Sequence, residues 1–195
     1  MKTKKKKFSD LSSRLQSWDY ARSGYYFITC VVQNRQHSFG EIRNGIMHKT
    51  PLGEFTEESW KRTAELRPGM NIWLGEFVVM PDHFHAVLFI GNNEYNAALV
   101  PNVLESSNSN EYMRELTRPK NRFGVQSKNL ASIVRGFKAS VTTEARKQGV
   151  PFEWVSRYHD SILRNTGDLN FARQYIRSYV QRWRGDFESV VARKG

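Results

Sequence analysis

Met80-Pro81-Asp82-His83-Phe84-His85, followed by the apolar run Ala86-Val87-Leu88-Phe89-Ile90, reads as a tight turn feeding a buried strand. Pro-Asp is turn chemistry, and the run behind it has the length and composition of a core strand. Side chains alternate between the faces of a strand, so His83 and His85 point one way and Phe84 the other. Two imidazoles side by side on a rigid support suit a divalent cation, while Phe84 anchors the strand from behind. Two ligands leave such a site open, so a third donor has to come from elsewhere. The His-x-His spacing also arises by chance. Its place at a strand mouth, where sites are built, is what singles it out.

Working outward, residues 71–80 form a second strand, and the short Pro81-Asp82 link requires it to run antiparallel to the first. Tyr25 to Val32 is aromatic and β-branched, the composition of a buried strand, and Asn44-Gly45 marks a hairpin. The spacing predicts a helix from about 52 to 66, with Phe55, Ser59, Trp60 and Thr63 on one face and Arg67-Pro68-Gly69 as its stop. A second helix is predicted over 129–147, striped by Leu130, Ile133, Val134, Phe137 and Val141, and a strand over 154–164. The last helix is predicted over 167–184, with Thr166 as N-cap and Leu169, Ala172, Ile176, Val180 and Trp183 as its buried stripe. Tyr175 falls about 100° from the centre of that stripe. It is therefore expected at the boundary with its hydroxyl reaching outward, and Tyr179 lies one turn on. This order of elements predicts an α+β fold, one antiparallel sheet with helices packed on one face.

Thirty basic against nineteen acidic residues give a net charge of +11 over 195 residues. Such an excess attracts polyanions, nucleic acid first and anionic membrane second, and no apolar stretch is long enough to span a bilayer. Lys4, Lys5, Lys6 and Lys7 lie in an arm, 1–13, without the apolar core of a secretory signal; it reads as disordered and able to touch phosphates. Arg135, Lys138 and Arg164 are further candidates for DNA contact, although a solvated helix face explains such cations equally well. Cys30 is the only cysteine, which excludes intrachain disulfides and thiolate metal cages. A cytoplasmic, nucleoid-associated protein is expected. Residues 91–127 are polar and read as a mobile insertion within a single domain, 14–184, followed by a tail, 185–195.

Several short motifs follow one another between residues 14 and 183. They are Trp18-Asp19-Tyr20, Tyr26-Phe27-Ile28-Thr29, Asn34-Arg35 with Phe39-Gly40, Met80 to His85, and Ser132 to Lys138. Tyr158-His159-Asp160, Ile162 to Asn165, and Tyr175-Ile176 with Trp183 complete the set. In order and spacing the set resembles the IS200-like family of tyrosine transposases, in the branch associated with repetitive extragenic palindromes. The resemblance implies a ferredoxin-like sheet on which a His-hydrophobic-His pair, here His83 and His85, binds Mg²⁺ or Mn²⁺. It implies one nucleophilic tyrosine on a late helix, which matches Tyr175. It further implies an enzyme, monomer or homodimer, that cleaves and rejoins single-stranded DNA beside a palindromic hairpin, leaving a 5′-phosphotyrosine and a free 3′-OH. A metal would polarise the scissile phosphate, and a phenolate, with a pKa of about 10, leaves more easily than a sugar alkoxide. The covalent link is thus reversible without ATP.

One departure from the family pattern stands out. Close members carry Asn-Asn-Pro after the tyrosine where this chain has Ser178-Tyr179-Val180, so the position of an amide third ligand is held by Tyr179. A neutral phenol is a poor ligand; His159 and Asp160 are candidate substitute donors, and a structural role is the other reading of that pair. Two other readings remain open: a domesticated protein that binds palindromic hairpins without cutting them, and a metal-dependent phosphodiesterase acting through water.

Overall fold

The computed structural model describes residues 18–97 and 127–183. The expectations for the 1–13 arm with Lys4 to Lys7, for nearly all of the 91–127 insertion and for the 185–195 tail fall outside these residues.

Four strands build the main sheet: β1 (Gly24–Val31), β4 (Ile72–Met80), β5 (His83–Ile90) and β6 (His159–Leu163). Their order is β4-β5-β1-β6, and every neighbouring pair is antiparallel. The hairpin β2 (Gly40–Arg43) and β3 (Ile46–Lys49) stands apart as a two-stranded sheet. Its turn holds Asn44 and Gly45 at φ 53° and 73°, which is why Asn-Gly occupies it. Helix α1 (Pro51–Lys61) is capped by Thr50, α2 (Leu130–Lys147) by an Asn129/Ser132 capping box, and α3 (Thr166–Arg182) by Asn165. The cap of α3 thus lies one residue before the expected Thr166. Leaving the hairpin aside, the order β1-α1-β4-β5-α2-β6 on this sheet is the ferredoxin-like arrangement, with α3 added at its end.

Alternation along the central strands separates two cores. Tyr26, Ile28 and Cys30 of β1 and Phe84, Ala86 and Leu88 of β5 are buried with Trp60 of α1 and Leu130, Ile133, Val134, Phe137 and Val141 of α2. Phe27, Met80 and Val87 point the other way and are buried with Leu169, Ala172, Tyr175, Ile176 and Tyr179 of α3. The α+β class is as expected, but the helices do not all share one face. Both sides of β1 and β5 carry apolar residues, so one side would be bare without α3.

Other boundaries move for local reasons. Helix α1 ends at Lys61, after which Thr63 N–H bonds to the Trp60 carbonyl in a tighter turn, and its buried residues include Leu52 and Thr56 rather than Phe55. Trp154 is not part of β6: it forms an isolated bridge with Val32, and its Nε1 donates to the Lys138 carbonyl at 3.1 Å. The buried side of α3 is turned toward Tyr175 and Tyr179, leaving Val180 and Trp183 half-buried. A bulge between Leu74 and Phe77 turns Glu76 to the α3 side, where Arg173 Nε and Arg177 Nη2 donate to its carboxylate at 3.0 and 2.5 Å. No helix among the described residues is long and apolar enough to cross a membrane.

Phe84 is fully buried against Trp60 and Phe137, with ring centroids 5.1 and 4.9 Å away, and so fixes the strand that carries both histidines. Phe84→Ala should cost about 3–5 kcal/mol, read as a drop in the urea midpoint. A loss well under 1 kcal/mol would show that this anchor is not what holds β5.

Candidate active site

The β1–β5 register sets Thr29 opposite His85 and Val31 opposite His83. Thr29 Oγ1 lies 2.8 Å from His85 Nδ1, and Asp82 Oδ1 lies 2.5 Å from His83 Nδ1. Asp82 is itself held by Arg35, whose Nη1 donates to Oδ2 at 3.2 Å. Asn34 and Arg35 adopt φ 54° and 56° in the short turn after β1, at the mouth of β5. A carboxylate only accepts, so the proton of neutral His83 sits on Nδ1. With Nδ1 engaged on both rings, a cation would be taken through Nε2.

The two imidazoles are buried, with centroids 4.6 Å apart. Burial pushes both below the ordinary histidine value of 6.5; the neighbouring His83 pushes His85 further down, while Asp82 pulls His83 partly back. Both are therefore neutral at neutral pH, the form that ligates metals. Among the described residues no three His, Cys, Asp or Glu side chains cluster as a metal site. Two anchored neutral imidazoles nevertheless fit a first-row divalent ion, and Mn²⁺ better than Mg²⁺, with oxygen ligands from water or phosphate completing the shell.

Helix α3 brings its tyrosines onto this pair. The Tyr175 ring lies 5.6 Å from His85 and 6.0 Å from Phe27, edge to face. Tyr179 stands nearly perpendicular to both imidazoles, 4.9 Å from His85 and 5.4 Å from His83, and 4.8 Å from Tyr175. The Arg182 guanidinium lies 5.4 Å from the Tyr175 ring and donates to the Tyr175 carbonyl at 3.3 Å. Tyr175 is only 8% exposed, which corrects the expectation of a boundary position. The sheet beneath α3 offers Phe27 and the imidazoles, which accommodate rings better than Val180 would.

The remaining candidates are dispersed. His159 pairs with Thr29 and shares the histidine face, but lies one strand beyond it and exposed. Asp160 pairs with Ile28 and so points to the α1–α2 side, away from His83 and His85; this corrects its place among the possible ligands. Burial pushes the Tyr26 phenol up to about 12, and the carboxylates of Asp19 and Asp160 add to the effect. Arg135 is exposed beside a groove of about 800 Å³ between α2 and residues 152–158. Lys138 borders the same groove, but its Nζ donates to the Val155 and Ser156 carbonyls at 2.7 and 3.3 Å. Its ammonium therefore ties that segment down rather than standing clear for phosphate. Arg164 is exposed between β6 and α3. Residue spacing does not single out Thr29, Asp82 or Arg35 as supports of the pair. The place of Asp82 beside His83 is a signal in the sequence, whereas Thr29 needs the strand register.

The depressed histidine values make stability pH-dependent. Below about pH 6.5 the unfolded chain takes up protons that the folded pair refuses, so stability present above that pH is lost as pH falls. The urea midpoint should fall between pH 7 and pH 5, and His85→Gln should flatten that slope. An unchanged slope in the variant would place the titrating groups elsewhere.

No family model matches the chain. An uncharacterised protein of Haemophilus influenzae is 31% identical over 176 residues, covering 90% of each chain. Among solved structures, a REP-associated tyrosine transposase bound to a REP hairpin is similar at a TM-score of 0.53 and 16% identity, over 89% of this chain and 76% of that one. At that identity the likeness is one of fold. The chain belongs to one family with the Haemophilus influenzae protein, and its fold is that of the REP-associated tyrosine transposase whose family its motifs resemble.

Proposed function

We propose that the chain is a divalent-metal-dependent transposase-type enzyme that cleaves and rejoins single-stranded DNA beside a hairpin through Tyr175. The observation that carries this reading is the Tyr175 ring 5.6 Å from His85, on the sheet face that also holds His83. A candidate nucleophile and a candidate metal-binding pair, 90 residues apart in sequence, meet on one rigid surface. The fold shared with a transposase bound to a REP hairpin supports hairpin DNA as the substrate class, and so does the +11 charge.

His83 and His85 would hold the cation through Nε2, with Asp82 and Thr29 fixing the rings. A bound divalent ion supplies Lewis-acid polarisation of the scissile phosphate. Phe27 and Arg182 orient the Tyr175 ring, so activation comes chiefly from position and field. The Tyr175 phenol gives up its proton and its oxygen bonds to phosphorus as the bond to O3′ breaks; a proton is returned to O3′, giving a 5′-phosphotyrosine and a free 3′-OH with no net change in protons. Attack by a 3′-OH reverses the step and restores the phosphodiester. Tyr179 lies over both imidazoles but offers only a weakly ligating phenol, so oxygen donors for a bound ion would have to come from water or the DNA phosphate.

Labelled single-stranded DNA carrying a hairpin, run on a denaturing gel, tests this directly. Native protein should give a covalent adduct with Mn²⁺ and less with Mg²⁺. Tyr175→Phe should reduce the adduct by at least about a thousandfold while retaining DNA affinity. An adduct that survives Tyr175→Phe moves the nucleophile elsewhere, and hairpin binding without any adduct from native protein favours a binding module.

Tyr179 gives a second check. Tyr179→Asn, which offers an amide oxygen, should lower the Mg²⁺ concentration for half-maximal adduct several-fold, and Tyr179→Phe should change it little. Loss of activity in Tyr179→Phe as complete as in His83→Ala would make the phenol part of the metal site.

A further inference from the structure

Trp73 of β4, Phe89 of β5 and Tyr25 of β1 form a row across three adjacent strands, each paired with the next. Their neighbours Leu74, Leu88 and Tyr26 pack in or against the α1–α2 core, so the row is on the opposite face, the one that carries His83 and His85. Tyr25 and Phe89 lie with centroids 4.5 Å apart at 35°. Trp73 is 68% and Tyr25 37% exposed, and none of the three joins the cluster under α3. The indole is held in place by Nε1 donating to Asn71 Oδ1 at 3.1 Å. On β6 the row ends at Leu163, opposite Tyr25, and the exposed Arg164 follows it.

Tyr25 and Thr29, like Phe89 and His85, are four positions apart, about 13 Å along each strand. An aromatic surface this open adds little to the core and costs solubility. What it supplies is flat, rigid π surface running from the edge strand β4 across the central strands β5 and β1. Sheets of this kind stack two or three unpaired bases, because every base has a π face.

We propose that the Trp73–Phe89–Tyr25 row is a stacking platform for unpaired nucleotides flanking the hairpin, on the same face as the Tyr175 site and about 13 Å from it. The proposal rests on the function set out above and adds where the single strand lies. An apolar protein surface could cover the same rings by burial alone. A polyanion is favoured because the chain carries +11 and the exposed Arg164 directly follows Leu163 in the chain, at the β6 edge of the sheet.

Two labelled probes decide it, a hairpin with an unpaired flank and the same hairpin cut blunt. Trp73→Ala and Tyr25→Ala should each weaken binding of the flanked probe about tenfold and leave the blunt probe unchanged. Trp73→Phe, which keeps a ring, should retain most of the affinity. Trp73 is exposed enough that its substitution leaves the fold intact, so it carries the test even should Tyr25→Ala prove unstable. The flanked probe should also quench native tryptophan emission, and quench it less in Trp73→Phe. Equal affinity of native and alanine variants for the flanked probe, or an equal loss on both probes, overturns the platform. Adduct formation that persists with no dependence on these rings overturns the platform alone. Preference for the flank without any adduct overturns the strand-transfer chemistry alone.

Discussion

The pairing of β1 with β5 is the constraint on which the rest depends. It sets Thr29 opposite His85 and leaves Thr29 Oγ1 2.8 Å from the imidazole. A slip of one residue would turn every β5 side chain to the other face, burying the histidines beneath α1 and α2 and exposing Phe84 to the tyrosines. Burial on both sides specifies this register. Phe84, Ala86 and Leu88 fit only the α1–α2 core, and Val87 fits only beneath α3. The placement of the pair is thus a by-product of packing, since the strand that cannot slip is the one that presents both imidazoles.

Positioning Tyr175 is a separate problem, solved by α3. Its ion pairs with Glu76 are partly exposed, so each contributes little to stability. Their value is geometric, because a bulge in β4 aims one carboxylate at two arginines a turn apart on the side of α3 away from Tyr175. Rings on the other side of the helix meet Phe27, His83 and His85. Between these two rows of contacts the helix has little freedom to rotate, and the distance from Tyr175 to the imidazoles follows.

Much of this arrangement is legible in local sequence patterns. Alternation alone puts His83 and His85 on one face, and the two-residue link makes β4 and β5 antiparallel. The same alternation separates His159 from Asp160, which face opposite ways on β6. The assignment of α3 to the far face is beyond the helical pattern, which reports that a stripe is buried but not against which side of a sheet. Ranking by apolarity finds Leu169, Ala172 and Ile176 but continues the stripe through Val180 and Trp183, whereas a surface made of imidazoles and Phe27 favours the tyrosines. Lys138 shows a similar limit: a cation beside an apolar stripe looks ready for phosphate, and only the path of residues 152–158 reveals the carbonyls that hold it.

The aromatic character of the face that carries His83 and His85 bears on the departure at Tyr179. An amide at that position would offer a ligand oxygen, and a tyrosine offers a ring instead. Lying 4.9 and 5.4 Å from the two imidazoles, that ring covers the pair edge-on and contributes to the burial that keeps both neutral. Protection of the imidazoles from protons favours metal binding, and loss of an oxygen donor opposes it. The two effects fall differently on the two candidate ions. Mn²⁺ accepts imidazole nitrogen readily and loses little, whereas Mg²⁺ depends on oxygen and loses most. The same substitution would therefore bear on which ion such a pair selects as well as on how tightly it is held, and would do so through a residue that need not touch the ion at all.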